Sequence, residues 1–161
     1  MLLVVCGLQG TGKTTVAKKI AGKINAAILR TDVVRKELIK ESKYTKEEKR
    51  IIYEKLFSKA KNLLKENKSV VLDATFDENE NRALARKISE EFGTGFKIVE
   101  IICLEELVKK RLKKRTFDES DADFKVHMEH KDSFEPITEP HIIIDNSKDL
   151  KHVDSQLNEH F

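Results

Sequence analysis

Five apolar residues, Leu2-Leu3-Val4-Val5-Cys6, run without a break into Gly7-Leu8-Gln9-Gly10-Thr11-Gly12-Lys13-Thr14, and this junction constrains the fold more than any other stretch. A short apolar run bounded by glycine suits a strand buried on both faces of a parallel sheet. Gly7, Gly10 and Gly12 supply positive-φ positions, which let successive backbone N–H groups turn into one concavity. From Lys13, the residues Val16, Ala17, Ile20 and Ala21 fall on one face of a helix reaching about Ile24. Strand, glycine loop and helix N-terminus together form an anion cradle. The spacing from Gly7 to Thr14 is that of the Walker A motif, so Gly7, Gln9, Gly10, Thr11, Gly12, Lys13, Thr14 and Thr15 are expected to bind nucleotide phosphates. Lys13 would reach the β- and γ-phosphates, and the Thr14 hydroxyl would hold Mg²⁺.

The rest of the chain repeats the alternation. Strands are expected at 26–29, 69–73, 96–104 and 141–145. Helices are expected at 32–39, from Thr45 to about Glu66, from about Asp77 to Phe92, at 105–115, at 121–131 and after Asp145. Thr45-Lys46-Glu47-Glu48 and Asp77-Glu78-Asn79-Glu80 both read as capping boxes. Alternating strands and helices imply an α/β, three-layer P-loop NTPase fold with a parallel sheet of about five strands and a short helical lid at about 111–122. Residues 1–161 read as one domain. Ligands of such sheets lie at the carboxyl ends of the strands, so the loops after Cys6, Leu29, Asp73, Leu104 and Asp145 should converge on one cleft.

Composition narrows the partners. The 31 basic and 28 acidic residues leave a net charge of +3, too slight to point to nucleic acid by itself. No run approaches the ~20 apolar residues that span a bilayer, and the first apolar run enters a glycine loop instead of a cleavage site, so the expected location is cytoplasmic. Cys6 and Cys103 sit in apolar runs as free thiols.

A GTP switch would carry Asp-x-x-Gly after the third strand and Asn-Lys-x-Asp after a later one. Here the chain reads Asp73-Ala74-Thr75-Phe76 and Asn146-Ser147-Lys148-Asp149. A kinase acting on a hydroxyl instead needs a carboxylate for the acceptor's proton and cations for the transferring group. Asp32 follows the second strand with Arg35 one helical turn later, which would let both face one pocket, although Asp32 at that position also suits a helix cap. Arg111 and Arg115 are spaced i, i+4 on a helix leading into the polar lid, among lysines that also fit a solvated face. His127 and His130 read as surface histidines, Phe57 as core, and Tyr44 and Tyr53 as candidates to line an acceptor pocket.

These residues resemble the small kinases of the P-loop group, with an AAA-type ATPase domain, that includes polynucleotide 5'-hydroxyl kinases and, more distantly, zeta-type toxins. The marks are Gly7 to Thr15, Arg30-Thr31-Asp32-Val33-Val34-Arg35, Val71-Leu72-Asp73-Ala74-Thr75-Phe76 with Arg82, Arg111 with Arg115, Ser120-Asp121-Ala122, and Phe134-Glu135-Pro136. Gln9 stands where the family usually has proline. The resemblance implies Asp32 as general base, Arg35 at an acceptor phosphate, Asp73 as the carboxylate that supports Mg²⁺ with Thr14, Arg82 on the acceptor side, and Arg111 and Arg115 as lid arginines, Arg115 at the transferring phosphate. It also implies ATP and Mg²⁺ as cofactors and a polynucleotide 5'-hydroxyl as acceptor. A small-molecule kinase acting on a nucleoside, sugar or antibiotic, or an ATP-binding interaction module without turnover, are the alternatives. Aromatic residues make up 6% of the chain, leaving little for base stacking.

Overall fold

The computed structural model describes residues 1–115 and 120–161, and the side chains of all of these except 115 and 120–123. Residues 116–119 of the lid expected at 111–122 therefore lie outside the described residues, as do the side chains of 115 and 120–122. Along the chain run β1 (Leu2–Cys6), α1 (Lys13–Lys23), β2 (Ala26–Arg30), α2 (Thr31–Leu38), α3 (Lys46–Lys65), β3 (Ser69–Asp73), α4 (Asn79–Glu91), β4 (Phe96–Ile102), α5 (Glu105–Arg115), α6 (Ser120–Ser133), β5 (Ile142–Asp145) and α7 (Leu150–His160). The strands form a five-stranded sheet in the order β2-β3-β1-β4-β5, with every neighbouring pair parallel.

The first strand dictates this arrangement. Side chains alternate across a sheet, and β1 is apolar at every position. Leu2, Val4 and Cys6 therefore join one core with Ile52, Leu56 and Ala60 of α3 and Ala85 and Ile88 of α4. Leu3 and Val5 join a second core with Val16, Ala17 and Ile20 of α1 and Val153 and Leu157 of α7. A strand wanted by two cores belongs in the middle of the sheet, with helices on both sides. The result is the three-layer α/β architecture expected from the sequence. No helix among the described residues is long and apolar enough to cross a membrane.

Two helix starts differ from expectation. Thr45 does accept the Glu48 N–H, at 3.2 Å, but the Glu48 carboxylate does not return to Thr45. It accepts from the N–H groups of Lys43 and Tyr44, both at 2.9 Å, and from the Ser42 hydroxyl at 2.8 Å. Tyr44 sits at φ +54°, which curls residues 42–44 over that carboxylate. The N–H of Lys43, then the Ser42 hydroxyl, hold the Glu48 carboxyl below its ordinary range. At α4 no side chain of the expected box caps the helix. Asp77 is taken by Lys49 at 2.9 Å, and the Asn79 N–H is satisfied from afar by the Glu135 carboxylate.

Candidate active site

The strand ends place the glycine loop, the start of α1 and the ends of β2, β3 and β5 on one rim. Gly7, Gly10 and Gly12 adopt φ of +139°, +83° and +88°. A Cβ at Gly12 would overlap the Asn146 side-chain amide, so glycine is required there by space as well as by φ. Gly7 N–H donates to the Thr75 carbonyl at 3.2 Å, which gives Thr75 a role as the anchor of the loop's entry. Lys13 Nζ donates to the Leu8 carbonyl at 2.9 Å across the loop it closes.

Thr14 is the first polar side chain of α1 beyond Lys13, and its hydroxyl donates to Asp73 Oδ2 at 2.7 Å. Asp73 ends β3 and is only 4% exposed. The hydrogen bond thus brings Thr14 and Asp73 together. One hydroxyl and one carboxylate are hard oxygen donors, which fits a Mg²⁺ whose remaining positions come from phosphates and water. Among the described residues no cluster of three or more His, Cys, Asp or Glu side chains forms a metal cage.

Asp32 lies in the first turn of α2 but is not its cap, because the helix begins at Thr31 and Arg30 holds the N-cap position. Its side chain is 75% exposed and lies 3.5 Å from Arg30 Nη2. The expected partnership with Arg35 is corrected. Arg35 turns away to Ser42 at 3.1 Å and Glu48 at 3.5 Å, and its guanidinium lies 4.7 Å from the centre of the Tyr44 ring. The carboxylate at the start of α3 draws it there.

Arg82 also stands elsewhere than an open acceptor face or a solvated surface. It is 1% exposed. Its guanidinium donates to the carbonyls of Phe76 and Glu135 and to Asn79 Oδ1, and it faces the Phe134 ring at 5.4 Å. These contacts tie the segment after α6 to the start of α4. Tyr53 belongs to the core rather than to a pocket: its Oη accepts the Phe76 N–H at 3.0 Å and its ring meets Phe76 edge-on at 5.2 Å. Phe57 packs in the same core, as expected, while Tyr44 is exposed.

Arg111, implied as a lid arginine, places its guanidinium on backbone carbonyls of the loop and its rim. It donates to the Thr11 carbonyl at 3.3 Å and the Asn146 carbonyl at 2.9 Å. Arg115 falls outside the described side chains. Three residues without an assigned role complete the site. Asn146 donates its side-chain amide to the Thr11 carbonyl at 2.8 Å. Its place directly after β5, at the rim where ligand loops gather, was the available signal. Arg30 spans Asp73 and Thr14, its Nε 3.3 Å from Asp73 Oδ2 and its Nη2 3.4 Å from Thr14 Oγ1. Its position next to Asp32 was the hint. His127 is not a surface residue: it is 2% exposed, and Nδ1 lies 2.7 Å from the Gln9 carbonyl. A carbonyl only accepts, so Nδ1 carries the proton.

Beside the loop opens a cavity of about 370 Å³, bounded by Gly7, Leu8 and Thr11, by Glu100 and Cys103 at the end of β4, and by His127, Lys131 and Phe134. Glu100 is held by His141 Nε2 at 3.2 Å. Lys131 pairs with Glu105. Burial pushes the Cys103 thiol up from its ordinary value, against the pull of Arg111.

A glycine loop between a central strand and a helix, with Thr14 on a buried strand-end carboxylate, defines a P-loop nucleotide-binding fold of the kinase type. The chain belongs to the AAA domain family, whose model matches residues 2–137. Over 114 residues it is 32% identical to uncharacterized proteins of Mycobacterium tuberculosis and Mycobacterium bovis, a stretch that is 63% of this chain and 22% of theirs. The matched stretch thus spans about a fifth of the length of these curated relatives. Among solved structures, the APS kinase CysC of Mycobacterium tuberculosis in complex with AMPPNP and APS aligns with a TM-score of 0.74 at 22% identity, covering 98% of this chain and 93% of that one. A gluconokinase from Sinorhizobium meliloti aligns at 0.71 and 16%, covering 98% and 91%. A sugar kinase from Janibacter sp. aligns at 0.73 and 17%, covering 98% and 92%.

Proposed function

We propose that the protein transfers the γ-phosphoryl group of ATP to a hydroxyl of a small molecule. The observation that carries this reading is the Thr14 hydroxyl on Asp73 Oδ2 at 2.7 Å, linked through Arg30 to a second, exposed carboxylate, Asp32. A nucleotide-binding module needs only the first carboxylate; a transferase also has use for the second.

The loop N–H groups and Lys13 would hold the β- and γ-phosphates. Thr14 and Asp73 would hold Mg²⁺, which when bound neutralises charge on the phosphates. Asp32 would orient the acceptor hydroxyl and take its proton while the acceptor oxygen bonds to the γ-phosphorus and the bridge to the β-phosphate breaks, leaving ADP. Arg111 and Asn146 would keep Thr11 in place, and Arg115 would serve the transferring phosphate on closure.

The acceptor is read from what the arginines do. Arg35, implied at an acceptor phosphate, and Arg82, implied on the acceptor side, are engaged by Glu48 and by backbone carbonyls. The kinase neighbours named for gluconate, APS and sugar point the same way. A polynucleotide 5'-hydroxyl rests on the motif resemblance alone. Acceptor-stimulated ADP release over a panel of sugars, polyols, nucleosides, aminoglycosides and 5'-hydroxyl oligomers tests the reading. Stimulation by a small molecule supports it. Stimulation confined to oligomers replaces it with the polynucleotide kinase, and ATP binding without stimulation by any member leaves a non-catalytic module.

A further inference from the structure

Arg30 ends β2 in register with Asp73 at the end of β3. Neighbouring strands of a sheet run ~4.8 Å apart with in-register side chains on one face, so the sheet itself delivers the guanidinium to the carboxylate. Arg30 Nε lies 3.3 Å from Asp73 Oδ2, the same oxygen that accepts the Thr14 hydroxyl. Arg30 Nη2 donates to Thr14 Oγ1 at 3.4 Å and lies 3.5 Å from Asp32 Oδ2. One positive group therefore touches both donors of the metal seat and the carboxylate assigned to the acceptor's proton. Each contact is at the long end for a hydrogen bond, so the hold is mainly electrostatic and open to exchange.

We propose that Arg30 is a placeholder cation of the metal seat: in the nucleotide-free protein it neutralises Asp73 and occupies a lone pair of Thr14, and it yields the seat only to a divalent cation that arrives with a nucleotide's phosphates. Asp73 is almost fully buried, and a buried carboxylate without a countercharge is costly. A free divalent ion would gain one carboxylate and one hydroxyl while facing a positive charge a few ångströms away, which repels it. Phosphate oxygens reverse that balance. Displaced from the seat, the guanidinium still adjoins Asp32, where it would hold that carboxylate close to the transferring group. The inference rests on Thr14 and Asp73 being the metal seat and not on which acceptor is used.

The test is Mn²⁺ binding, followed by the electron paramagnetic resonance of free Mn²⁺, with and without ADP and with no phosphoryl acceptor present. In nucleotide-free protein Arg30→Gln is expected to bind Mn²⁺ at least about tenfold more tightly than wild type, Arg30→Lys to stay near wild type, and Arg30→Gln combined with Asp73→Asn to lose the gain. With ADP, wild type and Arg30→Gln should differ by less than about threefold. An unchanged nucleotide-free affinity in Arg30→Gln, or a gain that survives Asp73→Asn, overturns the proposal. Should Arg30→Gln not fold by circular dichroism, Arg30→Met, which keeps the stem and removes the charge, is held to the same outcomes: tighter nucleotide-free Mn²⁺ binding supports the placeholder, and unchanged affinity overturns it. Absence of an acceptor in the ADP-release panel sinks the kinase reading but leaves these outcomes intact.

Discussion

At the scale of single residues, the site depends on a few positions with little freedom. Gly12 combines φ +88° with a Cβ position filled by the Asn146 amide. A side chain in the left-handed region costs about 1–2 kcal/mol before any clash, so Gly12→Ala is expected to weaken ATP at least about tenfold by titration calorimetry, with the sheet intact. Cys6 gives a prediction in pH. Burial, and then the nearby Glu100, push its thiol from 9.0 to about 12. The folded protein keeps that proton while an unfolded chain releases it near its ordinary value. Stability from this group is therefore full below about pH 9 and lost as pH rises toward about 12. Urea unfolding should show a drop between about pH 8 and about pH 10.5 that is smaller in Cys6→Ala, measured against each protein's own value at the lower pH.

At the scale of elements, the segment after α6 is fastened to the start of α4 by Arg82 and Glu135. Removing the guanidinium leaves buried carbonyls without donors, each at about 1–3 kcal/mol. Arg82→Met should lower unfolding stability by roughly 3 kcal/mol in urea melts, with ATP affinity within about twofold of wild type, since Arg82 contacts no part of the glycine loop. An acceptor-phosphate role would instead spare stability. The strands and most helices were legible in the sequence because each depends on local periodicity, and the glycine loop because its chemistry is confined to consecutive residues. The clamps were not. Arg82 with Glu135, Arg30 with Asp73, His127 with Gln9 and Asn146 with Thr11 join residues 53, 43, 118 and 135 positions apart. No local pattern marks such pairs. For the same reason Asp77 and Glu48 read as halves of capping boxes, while Lys49 and the turn at Ser42–Tyr44 claim them in the fold.

At the scale of the whole molecule, the strand order brings the ends of β1, β2, β3 and β5 together around one phosphate loop, with α5 and α6 packed on each other beside it. A fully apolar β1 makes the loop the extension of the most buried strand, so the phosphate cradle is held rigidly while Asp32 stands exposed at the rim. That contrast suits a site in which phosphates bind to a fixed frame and the acceptor arrives from solvent. The most direct measurement of the central claim is transfer of radiolabelled γ-phosphate from ATP to the small molecules of the panel and to 5'-hydroxyl oligomers, comparing wild type with Asp32→Ala. The account predicts label on a small-molecule hydroxyl, with transfer falling at least about 10²-fold in Asp32→Ala while ATP affinity is kept. Label appearing only on oligomers, or transfer unchanged by the loss of Asp32, would contradict it.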